Sequence, residues 1–197
     1  VNAITEGIFE IKTETEFEDS ALAVFKLQHE HCSVYRQFCD VLKIVPEKIK
    51  SVNDIPFLPI EFFKTHRVVT SSLASGEKKP NSKVFTSSGT TSSFQSKHFV
   101  SDISIYEKSF RKGFELFYGD IEDYTLLALL PSYLEREGSS LIYMVDDLIK
   151  RTKNPHSGFY LHNLNELSEK LKTLSEKNKN FILIGVSYAL LDLAEIM

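Results

Sequence analysis

Cysteine is scarce, two in 197 residues. That is too few for the disulfide frameworks on which small secreted domains depend. Long apolar runs are missing as well. A membrane-crossing helix needs roughly 18 or more consecutive apolar residues, and even the stretch from Phe181 to Leu191 is interrupted by Gly185, Ser187 and Tyr188. No basic tract occurs: 23 Lys and Arg are scattered among 27 Asp and Glu, for a net charge of −4 and a pI near 5.9. Nucleic acid is therefore not an expected partner. The opening Val1-Asn2-Ala3-Ile4-Thr5-Glu6 has no basic region ahead of an apolar block, so it does not read as a signal peptide. These absences lead us to expect a soluble, cytoplasmic protein without a membrane span. There is also no internal repeat and no G-x-x-x-x-G-K-[ST] phosphate loop.

What is present is material for a core, 42% hydrophobic residues with 12% aromatics, in a chain long enough to bury one. One domain, or one domain with a short appendage, is the expectation. Apolar residues from Leu22 to Leu42 recur at about 100° per residue and predict a helix near 19–42. Pro46, Pro56 and Pro59 exclude a continuous helix between Val45 and Phe63 and favour an extended crossing. Lys83 to Thr86 reads as a short strand, and Asp102 to Tyr118 as a helix stopped by Gly119. Glu77 to Ser82 reads as a surface loop. Tyr124 to Leu130 and Phe181 to Val186 are apolar runs of buried-strand type, and Phe159 to Leu161 is a shorter strand. Between them lie a helix capped by Ser139, carrying Leu141 to Ile149, and another marked by Leu164, Leu167, Leu171 and Leu174. A last helix follows from Ala189. Alternating strands and helices predict an α/β fold with a mainly parallel sheet flanked by helices.

The most specific local signal is Val84-Phe85-Thr86-Ser87-Ser88-Gly89-Thr90-Thr91-Ser92-Ser93. Small and hydroxylic residues surround one glycine immediately after an apolar pair. Gly89 permits close approach of a ligand to the backbone, while neighbouring hydroxyls and N–H groups can point at the same phosphate oxygens. Lys97 follows. A solvated Ser/Thr linker has the same composition, so the surrounding sequence decides.

Ser87-Ser88-Gly89-Thr90-Thr91 resembles the phosphate-binding signature of the adenylate-forming acyl- and aryl-CoA synthetase superfamily, although Ser92 replaces a second glycine and Lys97 stands further downstream than usual. Three more segments are similar to the acyl-protein synthetase branch of that superfamily: Ile55 to Lys64, Leu129 to Arg136 with Ser139 to Asp146, and Ile184 to Glu195. Phenylacetate-CoA ligases share the glycine loop and form the nearest competing branch. The resemblance implies the N-terminal part of the adenylate-forming fold over 1–197, with 1–50 as a helical leader packed on it. The C-terminal part and small lid domain of that fold would be missing. It implies ATP and Mg²⁺ as cofactors, a fatty or aryl carboxylic acid as substrate, and an acyl reductase or acyl carrier as partner. It places Ser87, Ser88, Gly89, Thr90, Thr91 and Lys97 on the nucleotide phosphates, and Ser187, Tyr188 and Arg136 in the substrate pocket. No residue is required as a covalent nucleophile. The chain begins with Val and ends at Met197 on an unfinished-looking helix, so part of a longer synthetase, inactive in isolation, is expected. A non-catalytic nucleotide- or acyl-binding module is the alternative.

Other constellations carry less. His29, His31, Cys32 and Cys39 include preferred zinc ligands, but the cysteines lie on an apolar helical face and the two histidines diverge, so core packing is the expectation. Neither cysteine is assigned as an acyl acceptor. Gly185-Val186-Ser187-Tyr188-Ala189 imitates the nucleophile elbow of α/β-hydrolases, yet no histidine follows Ser187 to complete a triad in that order. Tyr133, Tyr143, Met144 and Tyr188 suit a long acyl chain, an aryl acid or the core. Lys64, His66 and Arg67 add basic groups after the Pro-rich crossing, either approaching the phosphates or lying in solvent.

Overall fold

Leu126, Leu127, Ala128 and Leu129 have no exposed surface, and Leu130 almost none, because the strand that contains them is covered on both faces. In the computed structural model, which describes residues 6–70, 81–87, 95–130, 138–161 and 163–197, the chain divides into two compact units, Val1–Tyr106 and Glu107–Met197.

The second unit is built on three parallel strands in the order β4-β3-β5, where β3 is Thr125–Leu129, β4 is Gly158–Phe159 and β5 is Phe181–Gly185. Parallel strands need crossovers. These are supplied by α5, Ser140–Arg151, and α6, Leu164–Glu176, and α7, Ser187–Ile196, follows β5. Side chains alternate across a strand. On one face Leu127 and Leu129 meet Leu167, Leu171 and Leu174 of α6 and Ala189 and Leu193 of α7. On the other, Leu126, Ala128 and Leu130 meet Ile142, Val145 and Leu148 of α5, with Phe110 and Phe114 of α4, Ile103–Tyr118, packed alongside. A strand buried on both sides reads as a continuous apolar run, as Tyr124 to Leu130 does.

Caps set the helix ends. Ser139 Oγ accepts the Ile142 N–H at 3.3 Å at the start of α5. Gly119, at φ 83°, ends α4 in the left-handed region and returns its N–H to the Glu115 carbonyl. A polar cluster seals the sheet's amino edge: Ser157 Oγ accepts the Leu126 N–H, and Asn154 Nδ2 donates to Thr125 Oγ1.

In the first unit the helix expected over 19–42 is two helices, α1 from Glu14–His31 and α2 from Ser33–Val41. Cys32 is extended at φ −108°, ψ 103°, so the chain bends there without glycine or proline. Its N–H still bonds the Gln28 carbonyl at 2.8 Å, and the apolar pattern continues across the break. Phe25, Cys32, Tyr35, Cys39 and Ile49 form the buried cluster. The Pro-rich crossing holds two short 3₁₀ turns, Pro46–Lys48 and Val52–Asp54, then the one-turn helix α3, Phe62–Thr65. Tyr35 O–H fastens it by donating to the Pro56 carbonyl at 2.7 Å. An antiparallel pair completes the described part, β1 at Lys83–Thr86 and β2 at Lys97–Val100. The protein is thus α/β with parallel and antiparallel strands. β2 was not read as a strand from the sequence: Lys97, expected only as a phosphate ligand, is its first residue.

Candidate functional site

The β1–β2 pair fixes the base of the glycine-bearing segment. Thr86 stands opposite Lys97, and Phe85 opposite His98. One residue further, Ser87 N–H donates to the Ser96 carbonyl at 3.1 Å, and Ser96 N–H donates to Ser87 Oγ at 3.0 Å. Ser87 therefore closes the pair with its backbone and its hydroxyl oxygen, and keeps its O–H proton available to an acceptor. Ser88, Gly89, Thr90 and Thr91 lie outside the described residues. The closure itself joins Ser87 to Ser96, on either side of them in sequence.

Lys97 is exposed and shares a depression of about 450 Å³ with Lys64, His66, Arg67 and Gln95. The basic groups after the Pro-rich crossing are thus brought to the lysine that follows the glycine loop. Aromatic rings organise the floor. Phe63 stacks on His98 with centroids 4.4 Å apart and planes 15° from parallel, and the Arg67 guanidinium lies 4.8 Å from the Phe99 centroid. Thr65 Oγ1 and His66 Nδ1 are 2.8 Å apart, within hydrogen-bond distance. Three formally cationic side chains around one concavity attract an anion, with the largest effect where water is displaced. The sequence had suggested Lys64, His66 and Arg67 only as candidates, because nothing in its order shows that α3 and β2 adjoin.

Ser187 and Tyr188 belong to the other unit. Both are exposed, Tyr188 at 64%, and they begin α7 at the carboxyl end of β5. This helix starts two residues before the expected Ala189. Leu129 pairs with Gly185, so the chain leaves β3 toward 131–137 at the same sheet edge where β5 gives way to Ser187. Ligands in open α/β sheets usually bind outside that edge. Arg136 and Tyr133 lie outside the described residues. Tyr143 and Met144 have other tasks: Tyr143 O–H donates to the Glu107 carboxylate, and Met144 packs beneath the sheet.

Gly185 is required for space. A Cβ there would lie 2.8 Å from Leu190 Cγ and 3.2 Å from Leu129 Cβ, so α7 approaches the sheet only because the side chain is missing. The hydrolase imitation ends here. A nucleophile elbow holds its serine on a strained turn, whereas Ser187 is the first residue of a regular helix, and the described non-glycine residues with positive φ are Lys43, Lys153 and Asn178.

Cys32 and Cys39 pack in the core of the first unit, 4% and 0% exposed. Burial pushes the Cys39 thiol above its ordinary range, with the Tyr35 hydroxyl only partly offsetting it. Such a thiol is a poor nucleophile. Among the described residues no group of three or more His, Cys, Asp or Glu is placed to hold a metal ion. Nor is any described helix long and apolar enough to cross a membrane.

Comparison with known proteins adds an independent line. The profile of the acyl-protein synthetase family, LuxE, matches residues 9–112, which include α1, the Pro-rich crossing, β1, β2 and the glycine-bearing segment. A long-chain-fatty-acid–luciferin-component ligase of Photorhabdus luminescens is 36% identical over 69 residues, 35% of this chain and 54% of the relative. The match therefore spans about half the relative's own length. No solved structure matches the chain.

Proposed function

Because the chain belongs to the acyl-protein synthetase family, LuxE, we propose that it takes part in ATP-dependent activation of a carboxylic acid, a fatty acid by preference, to an acyl-adenylate. Pyrophosphate is the other product. Acyl transfer to a protein thiol or to CoA follows, with an acyl reductase or acyl carrier as the partner that receives the group. The relative named for a long-chain fatty acid supports the substrate class.

One observation carries this reading: the hairpin base closed by Ser87 and Ser96 presents Lys97 beside Lys64, His66 and Arg67. In displacement at the α-phosphorus the protein's main tasks are positioning and charge stabilisation. Ser87, Ser88, Thr90 and Thr91 donate hydrogen bonds to the phosphate oxygens. Gly89 gives them room to approach, and Lys97 offsets the charge of the leaving pyrophosphate. Mg²⁺ would be carried chiefly on the phosphates, as is usual for nucleotide sites. Ser187, Tyr188 and Arg136 line the approach of the carboxylate. Neither Cys32 nor Cys39 is suited to receive the acyl group.

Carboxylate-dependent exchange of pyrophosphate into ATP by the full-length protein tests the proposal. Gly89→Val combined with Thr90→Ala should reduce exchange by about 100-fold or more, the scale of losing preorganised oxyanion donors, with little change in the thermal midpoint. Unaltered exchange in that variant would remove the glycine loop from the mechanism.

A further inference from the structure

A second cavity of about 450 Å³ lies in the first unit, between α1 and the Pro-rich crossing. Its lining is mostly apolar and includes Ala21, Val24 and Phe25 of α1 with Ile55 and Leu58 of the crossing. The volume lies within the range of small-molecule sites, roughly 300–1,000 Å³. Phe57 and Phe17, which also line it, are 75% and 53% exposed. Large apolar side chains facing water around a concavity mark a surface that gains by being covered.

The cavity does not stand alone. Phe63 and Phe99 line both it and the basic depression. Phe99 carries the Arg67 guanidinium 4.8 Å from its ring centroid, and Phe63 is held by its stack on His98. An apolar chamber and a cationic one thus share a two-ring wall within a single unit. A molecule matching both has a hydrocarbon tail and an anionic head. We infer that the cavity between α1 and the Pro-rich crossing seats the hydrocarbon chain of a long-chain fatty acid, whose carboxyl end emerges past Phe63 and Phe99 on the Arg67 side of the basic depression, leaving Lys97 to the pyrophosphate.

This rests on the activation reading for its substrate class and adds where the chain is held. The pocket residues Ser187 and Tyr188 belong to the other unit and need not contact the tail. Chain-length selectivity then resides in α1. Each methylene seated should tighten binding by roughly fourfold, the equivalent of about 0.8 kcal/mol, until the cavity is filled.

Photolabelling of the full-length protein with palmitate bearing a diazirine at its terminal carbon reads the seat directly. Saturable labelling should map to residues 17–28 and 52–58, and unlabelled palmitate should compete while butyrate does not. Ala21→Phe and Val24→Phe, each narrowing the cavity from a different position, should lower the palmitate-to-octanoate affinity ratio at least tenfold. Circular dichroism and the thermal midpoint identify a variant that fails to fold. Labelling that is non-saturable, or that maps only to 107–197, overturns the inference, as does an unchanged ratio in both folded variants. The two readings separate cleanly. Saturable labelling at 17–28 without pyrophosphate exchange for any carboxylate supports the seat and removes the activation, whereas exchange with labelling elsewhere removes the seat alone.

Discussion

In Glu107–Met197 one strand, β3, has every residue from Thr125 to Leu129 buried and is covered by helices on both faces. In Val1–Tyr106 the buried cluster around Phe25, Tyr35 and Cys39 is bordered by 3₁₀ turns and extended chain, and two cavities of about 450 Å³ open beside it. The second unit has depressions too, of about 580 and 640 Å³, but charged side chains such as Glu122, Lys170, Arg111 and Lys153 line them; what sets the first unit apart is a depression with an apolar lining beside one with a basic lining. Close-packed interiors tolerate little change in volume, whereas sites must keep concave space and exposed charge. The proposed anion site and tail seat both lie in the first unit, whose two depressions differ in lining. In the second unit the proposed pocket residues Ser187 and Tyr188 stand at the carboxyl edge of the sheet.

The strongest challenge to that contrast is truncation at the centre of the sheet. Leu127→Ala should cost about 2–5 kcal/mol, since Leu127 has no exposed surface and sits among Leu167, Leu171 and Leu193. Urea unfolding measures it. A loss below about 1 kcal/mol would mean that β3 is not the packing centre.

Overfilling is the complementary probe. Gly185→Ala should cost about 1–3 kcal/mol, because the new methyl group meets Leu190 and Leu129 at the base of α7. By contrast, Ala21→Phe places a larger side chain where the first unit has a cavity. Comparable destabilisation by both substitutions would mean that Ala21 has no more free space beside it than Gly185.

The second unit also depends on a charge cluster at its flank. The Asp147 carboxylate accepts from Arg111 Nε at 2.9 Å and from Arg151 Nε at 2.8 Å, while Glu107 pairs with Arg111 at 3.1 Å. Burial raises the Asp147 pKa, but the two guanidiniums outweigh it and hold the group below the usual carboxylate range. A depressed folded-state pKa stabilises the protein above the unfolded value, and that contribution fades as pH falls through the folded one. Asp147→Asn should therefore cost about 1–2 kcal/mol at neutral pH, since Asp147 is 22% exposed and water screens part of the interaction. The gap between wild type and variant should narrow below about pH 4, as read by thermal midpoints across a pH series. A gap that widens toward acid would contradict the assignment.

The same contrast explains what could be read from the sequence. The second unit was legible nearly element by element, because β3 and β5 are apolar runs, α6 repeats leucine at helical spacing, and Ser139 and Gly119 punctuate helix ends. The start of α7 shifted by two residues, and the short strand expected over Phe159 to Leu161 is Gly158–Phe159. The first unit was legible in its signals but not in its assembly. The break at Cys32 has no local marker, since the apolar stripe from Phe25 to Cys39 runs through it. The strand at Lys97–Val100 is four residues long and follows a hydroxyl-rich segment, so its pairing with Lys83–Thr86 is tertiary information. The gathering of Lys64, His66 and Arg67 around Lys97 depends on that pairing and was accessible only as a list of basic residues. The shared wall of Phe63 and Phe99 had no counterpart in the motif.

The smallest expected effect concerns the helix that borders the proposed tail seat. Thr13 Oγ1 accepts the Glu16 N–H at 3.2 Å, while the Glu16 carboxylate accepts the N–H groups of Lys12 and Thr13 at 2.8 and 3.0 Å, a reciprocal capping box at the start of α1. These backbone donors, Lys12 foremost, hold the Glu16 pKa below its ordinary value. Its contribution is therefore present at neutral pH and lost as pH falls through the folded value. Thr13→Ala should lower stability by about 1 kcal/mol, and hydrogen exchange should quicken first in the opening turn of α1, close to Phe17 and Ala21. If the first unit holds a hydrocarbon tail against this helix, palmitate should slow that exchange in the wild type and restore part of the protection in Thr13→Ala, because a ligand stabilises the state it binds. Equal protection throughout α5 under the same conditions would assign the ligand to the second unit instead.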